Sequence, residues 1–255
     1  MIHVISHANR SAYAAQIEEM HRLRWSYYVG DRKWRELHEL QNREGFERDR
    51  YDDEDATYLM SIGADGRLQG SLRLRRGDRP TLLADRYWDL LDDPGALALG
   101  PDIWEITRVI RTPQNRVKDG AVRAALHAGM VEFGLTRGAR KLVGVCDTFM
   151  LPGIISLWKH KFRPLGLPQP YEEGEMIAVG FDIDEEILGM LRERGPFAAA
   201  QMLEIPPPCP ASIPPLLHER ISRAVQALPQ SEAEHLAEWL EGGEGAAGLP
   251  AVKRA

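Results

Sequence analysis

Only two cysteines occur in the 255 residues, Cys146 and Cys209. They are too few for a disulfide framework or a metal cluster, and they fit a reducing, cytoplasmic setting. No uninterrupted apolar run approaches the ~18 residues of a membrane-spanning helix. The start, Met1-Ile2-His3-Val4-Ile5-Ser6, lacks the basic leader and apolar core of a signal peptide. A surplus of positive charge is also missing. The 32 Lys and Arg against 38 Asp and Glu leave a net charge of −6, which disfavours a general nucleic-acid binder. What remains is an ordinary globular composition, long enough for one large domain with an appendage.

The most informative stretch is Ile103-Trp104-Glu105-Ile106-Thr107-Arg108-Val109-Ile110. Alternation and β-branched residues predict a strand buried on at least one face. Glu105 and Arg108 inside it have two readings, a structural ion pair or a carboxylate tuned by nearby charge as a general base requires. Residues three apart on a regular strand point to opposite faces. For both to reach one pocket, a β-bulge or sharp twist is expected within residues 105–108.

The remaining elements follow in order. Residues 2–5 read as a short strand and 9–29 as a helix. Tyr13, Ile17, Met20, Arg24 and Tyr27 share one helical stripe, which sets Arg24 among apolar residues, with Tyr28 its i+4 neighbour. Residues 29–55 show no lasting periodicity, yet Trp34, Phe46 and Tyr51 give this long connection anchors, as in a functional lid. Within it Asp49 and Asp52 stand out. Residues 56–62 and 68–74 form a hairpin about an Asp65-Gly66 turn, with Ser71 and Arg73 on one parity of its second strand.

After a short helix and an irregular crossing over 81–99 and the central strand, residues 117–136 read as a helix. Asp119, Arg123 and His127 mark its wet side. Residues 141–146 read as an interior strand, 150–161 as a helix, 175–181 as a strand and 184–194 as a helix. The order predicts an α+β fold, a three-layer α/β/α sandwich about a mixed, mainly antiparallel sheet. Residues 1–200 form the expected domain. Residues 201–255 form a Pro-rich linker (Pro206-Pro207-Pro208-Cys209-Pro210) and a tail that is helical or partly disordered.

Arg24-Xaa3-Tyr28, Trp34, Glu47-Xaa-Asp49-Xaa-Tyr51-Asp52, Gly70-Ser71-Leu72-Arg73-Leu74 and Trp104-Glu105-Ile106-Thr107-Arg108 stand in an order and spacing that resemble the LuxI-type acyl-homoserine-lactone synthases, the autoinducer synthases of bacterial quorum sensing. The match covers residues 1 to about 195. Tyr28 departs from it, since the family usually has Phe there, and the added hydroxyl needs a partner. The resemblance implies a fold like that of the Gcn5-related N-acyltransferases. It also implies two substrates, S-adenosylmethionine and a fatty acyl thioester carried on acyl carrier protein or coenzyme A. Neither a cofactor nor a metal is implied; adenosylmethionine is consumed.

That chemistry suggests roles. Glu105 is the candidate base that takes the proton from the adenosylmethionine ammonium. Asp49 and Asp52 suit the positive sulfur and nitrogen, Arg24 or Arg108 the carboxylate, and Arg73 ties the acids in place. Tyr28, Trp34 and Thr107 complete the expected substrate site, the Trp34 indole favouring a cation. Thr148, Met150 and Ile154 fall where the family recognises the acyl chain. Thr148 has two readings, donor to a 3-oxo group or helix N-cap. Arg111, Arg116 and Lys118 read either as a contact for the thioester carrier's phosphate or as a solvated rim. A coenzyme A-dependent N-acyltransferase that makes no lactone is the competing enzyme reading. A non-catalytic binder of an acyl ligand is the third.

Overall fold

The computed structural model describes residues 1–34, 45–93, 95, 97–113, 120–171, 174–194 and 202–205. All of them lie in one unit, Met1–Ile205. The expected tail elements beyond it fall outside the described residues.

Nine strands among the described residues form one sheet. They are β1 (Ile2–Ile5), β2 (Thr57–Ile62), β3 (Leu68–Arg76), β4 (Ile103–Arg111), β5 (Lys141–Asp147), β6 (Phe162–Pro164), β7 (Gln169–Tyr171), β8 (Gly174–Asp182) and β9 (Met202–Leu203). The spatial order is β6-β8-β5-β4-β3-β2-β1-β9, and β7 also pairs with β8. Pairing is antiparallel except for β4 with β5 and β1 with β9. The mixed, mainly antiparallel sheet is therefore as expected. The short strands β6, β7 and β9 were not legible, because two or three residues carry no usable period.

Period-two alternation gives the sheet two apolar faces. Leu59, Leu72, Leu74, Trp104 and Ile106 face a core closed by α3 (Gly120–Thr136), α4 (Leu151–Trp158) and α5 (Glu185–Glu193). Ile5, Tyr58, Met60 and Ile110 face the other way, against α1 (Ala14–Arg24) and the segment after it. Next to them Leu83, of the short helix α2 (Leu82–Arg86), packs with Val143, Met176 and Ala178. The three-layer α/β/α sandwich follows, a fold like that of the Gcn5-related N-acyltransferases, as the family resemblance implies.

Two departures from regular structure shape the site. The single helix expected over 9–29 has three parts: a 3-10 turn, His7–Tyr13, then α1, then a π-helical stretch, Trp25–Asp31. A π-turn holds an extra residue, so the face rotates. Tyr28 is buried as a result, while Tyr27, which the stripe predicted, only packs against the edge of the core.

The second departure is in β4. Arg73 pairs with Thr107 and Ser71 with Ile110, so Arg108 and Val109 together stand opposite Leu72. This is a β-bulge. Arg108 takes φ +54°, a left-handed conformation that costs a side-chain-bearing residue ~1–2 kcal/mol. Pairing remains regular through Ile106 and Thr107, so the break falls at the last residue of the expected window. It turns Arg108 to the face that already carries Glu105 and Thr107.

Beyond this point β4 and β5 part. Their pairing stops at Ile106 with Gly144, although the strands continue to Arg111 and Asp147. At Gly144 a Cβ would stand 2.7 Å from the Ile106 carbonyl oxygen, so the last paired step needs glycine.

Candidate active site

A cavity occupies the gap between the parted strands. Its wall includes Glu105, Thr107, Arg108, Tyr28 and Trp34 on one side of the sheet, and His127, Met130, Met150, Ile154 and Phe181 on the other. It therefore passes through the sheet plane, polar where it meets the bulge and mostly apolar beyond.

Below the polar end lies a buried ionic cluster. Arg24, set among apolar neighbours in the linear pattern, is 0% exposed. Its guanidinium grips Asp52 in bidentate fashion at 2.8 and 2.9 Å and also donates through Nε to Glu47. Arg73 grips Asp49 at 2.5 and 2.9 Å, reaches Asp52 at 2.9 Å and donates through Nε to Thr107 Oγ1 at 2.9 Å. Arg108 closes the circuit on Glu47 at 3.1 Å and Asp49 at 2.7 Å. Tyr58 Oη and the Asp49 N–H complete Asp52, each at 2.9 Å. Three guanidiniums thus face three carboxylates, which is how buried charge becomes tolerable.

The titration behaviour follows from this. Burial alone would raise the Asp52 carboxyl, but Arg24 and Arg73 outweigh it and hold it well below the usual range. For Glu47 burial is likewise overcome by Arg108 and Arg24, and for Asp49 by Arg108 and Arg73. Glu105 goes the other way. Burial raises it, and the N–H groups of Leu82 and Leu83 offset only part of that rise. Those two N–H groups open α2, so the Glu105 carboxylate sits on a helix start. Each oxygen keeps a lone pair beyond its backbone bond.

The expected site residues thus divide. Glu105, Tyr28, Trp34, Thr107, Arg108, Met150 and Ile154 line the cavity. Arg24, Asp52 and Arg73 are fully buried beneath it, and Asp49 is nearly so. Arg108 lies over the Tyr28 ring at 5.4 Å, and the Tyr28 and Trp34 rings stack at 4.9 Å. The Tyr28 hydroxyl finds no hydrogen-bond partner among the described residues, so it is free for a ligand. Thr148 opens a single 3-10 turn, Thr148–Met150, outside the cavity wall, and the N-cap position that the sequence offered it belongs to Asp147. Arg111 ends β4, while Arg116 and Lys118 lie outside the described residues.

Sequence reasoning missed two residues. Glu47 was read only as part of a motif, yet it bridges Arg24 and Arg108; its 23-residue separation from Arg24 hides the contact. His127 was assigned to the wet side of its helix, but it is 9% exposed and accepts a hydrogen bond from Trp158 Nε1 at 2.8 Å. The i, i+4 polar spacing misled because α3 is covered on both flanks.

A bulged strand, a parted neighbour and a buried acid–arginine cluster make one polar mouth leading into an apolar channel. Comparison with known proteins places the chain as a whole. A family model described as autoinducer synthase matches residues 8–191. An isovaleryl-homoserine lactone synthase of Bradyrhizobium diazoefficiens is 32% identical over 194 residues, 76% of this chain and 85% of that protein. An acyl-homoserine-lactone synthase of Rhizobium etli is 29% identical over 201 residues, 77% of this chain and 89% of that protein. Among solved structures, a CoA-dependent acyl-homoserine lactone synthase, BjaI, with SAM and isopentyl-CoA, superposes with a TM-score of 0.71 at 30% identity, covering 81% of this chain and 94% of that one. By sequence and fold, this chain belongs to the autoinducer synthase family, the acyl-homoserine-lactone synthases.

Proposed function

We propose that the chain acylates the amine of S-adenosylmethionine from a fatty acyl thioester and then closes the lactone. The observation that carries this reading is the cavity itself, which joins a charged mouth at Glu105 and Arg108 to an apolar channel through the β4–β5 gap. A zwitterionic sulfonium suits the mouth, and a fatty chain suits the channel.

In this reading Glu105 accepts the ammonium proton, directly or through a water. Its raised pKa makes it a stronger base than an exposed carboxylate. The freed amine attacks the thioester carbonyl, an amide forms, and the carrier leaves as a thiolate that takes up a proton. Backbone N–H groups released where β4 leaves β5 are the donors available to the oxyanion. The substrate carboxylate then attacks the γ-carbon, and the C–S bond electrons leave with sulfur as methylthioadenosine.

Arg108 and the Trp34 and Tyr28 rings contact the adenosylmethionine end. Arg24, Glu47, Asp49, Asp52 and Arg73 act from beneath, holding Arg108 at its left-handed turn; they position and do not touch substrate. Met150 and Ile154 contact the acyl chain. No separate cofactor enters, and the carrier is acyl carrier protein or coenzyme A; the CoA dependence of the related BjaI supports testing coenzyme A thioesters first. The free Cys146 fits a reducing cytoplasm as the place of reaction. Among the described residues no helix is long and apolar enough to cross a membrane. The synthase domain is assigned to the region before the Pro-rich run, with residues beyond it as an appendage.

The test is to incubate the purified protein with adenosylmethionine and a panel of acyl thioesters on both carriers and to measure methylthioadenosine. Release that depends on the thioester supports the reading. Acylation without methylthioadenosine would favour an ordinary N-acyltransferase, and no reaction with any thioester would favour a binding protein.

A further inference from the structure

His127 is the polar exception in the channel. On its side of the sheet the wall includes Met130, Met150, Ile154, Val179 and Phe181, with the Cys146 thiol as a weak donor beside them. An imidazole N–H that opens into such a cavity is a donor with no protein acceptor among the described residues, available to an acceptor on whatever fills the channel.

Its protonation state is dictated by a neighbour. An indole N–H can only donate. Since Trp158 Nε1 donates to His127 Nδ1 at 2.8 Å, Nδ1 carries no proton and Nε2 must carry it. Trp158 is fully buried and has no other use for that N–H, so the tautomer is fixed by the core. Burial, with Arg123 and Arg111 nearby, pushes the His127 pKa down to about 3, so the ring stays neutral at physiological pH. Nε2 diverges from Nδ1 across the ring, away from Trp158. It has no hydrogen-bond partner among the described residues.

Position adds the second half of the argument. Glu105 and Arg108 belong to the opposite face of the sheet. A chain whose thioester sits at that mouth meets His127 only after crossing the gap. The atom facing Nε2 is then part of the acyl chain and not the thioester carbonyl.

We propose that His127 is a specificity-determining residue, whose Nε2–H donates to an oxygen carried on the acyl chain, so that the enzyme selects 3-oxoacyl or 3-hydroxyacyl thioesters over unsubstituted ones. The proposal rests on the synthase reading above. It moves the polar recognition of the chain from Thr148, which lies outside the cavity wall, to α3.

The experiment compares kcat/KM, by methylthioadenosine release, for hexanoyl, 3-hydroxyhexanoyl and 3-oxohexanoyl thioesters on coenzyme A and on acyl carrier protein. For the wild type the better oxygenated chain should be favoured about tenfold or more, the discrimination expected when a donor is left unpaired. In His127→Phe that ratio should fall toward one. Because His127→Phe also orphans the Trp158 N–H, the double variant His127→Phe/Trp158→Phe should give the same collapsed ratio with the core polar pair removed together. If neither variant folds, a wild-type ratio of one or less still overturns the proposal, and His127→Gln, whose amide oxygen can accept from Trp158 Nε1, replaces them in showing whether a higher ratio falls. A wild-type ratio of one or less, or a ratio that survives in either variant, overturns the role of His127 while leaving the synthase intact. No methylthioadenosine from any thioester overturns the synthase reading, and this inference with it.

Discussion

Replacing Glu47 by Gln removes one negative charge from a cluster of three guanidiniums and three carboxylates and leaves it one positive charge in excess. Glu47 is 0% exposed, so water cannot compensate. Breaking a buried pair by removing one partner costs about 3–5 kcal/mol. At ~2–4 °C per kcal/mol for a domain of this size, Tm should fall by about 6–20 °C. Arg24 keeps its bidentate hold on Asp52, whereas Arg108 keeps only Asp49. The damage should therefore concentrate at the bulge, and KM for adenosylmethionine should rise even where the protein is still folded. pH supplies a check of sign. The Glu47 pKa is lower folded than unfolded, so its contribution is fully present above the ordinary carboxylate range, about 4. That contribution is lost as pH falls through the depressed value. The stability gap between wild type and Glu47→Gln should therefore be constant near neutrality and close in acid. Thermal melts across pH, with methylthioadenosine kinetics at 25 °C, measure both. A Tm shift below about 2 °C, together with an unmoved KM, would show that Glu47 is a bystander to Arg108.

Three further outcomes are expected. Glu105→Gln should cut turnover by about 10²–10⁴-fold. Because a Gln amide can accept from only one of the Leu82 and Leu83 N–H groups, it should also loosen α2 modestly; near-normal methylthioadenosine release would remove Glu105 from the base role. Deleting residues 206–255 should preserve activity, since β9 and the 2.8 Å bond from Asn9 Nδ2 to the Ile205 carbonyl are retained; an insoluble or inactive truncation would show that the tail supports the domain. Thr148→Val should leave the ratio of oxygenated to unsubstituted chains unmoved, because Thr148 is not in the cavity wall; a collapsed ratio would return that role to Thr148.

The legible parts of this protein are those in which one period governs many neighbours. Strands β2 to β5 and β8, the helices and the Asp65-Gly66 turn all follow from alternation, 3.6-residue spacing or turn chemistry. Arg24 was conspicuous because a charge interrupted an apolar stripe. The bulge was inferable too, since Glu105 and Arg108 could not otherwise share a face. The rest was hidden for physical reasons. Glu47 meets Arg24 and Arg108 only through the folded connection, and no local pattern encodes that approach. The π-helical turn rotates Tyr28 inward by an amount that depends on hydrogen-bond choice, not on composition. His127 is polar by type and buried by context, and only the indole 31 residues away explains it.

The parting of β4 from β5 has a mechanical side. Among the described residues only four strand pairs, Ile103–Lys141 to Ile106–Gly144, join the half-sheet β9-β1-β2-β3-β4 to the half-sheet β5-β8-β6. Among the described residues, backbone groups that face the gap beyond that seam pair with no strand across it. An acyl chain lying in the gap would seal it and bridge the two halves with apolar contact. Occupancy then becomes a matter of stiffness as well as chemistry. Amide hydrogen exchange should slow on both sides of the seam together when a non-reactive acyl ligand binds, and the far edges of the sheet should not notice.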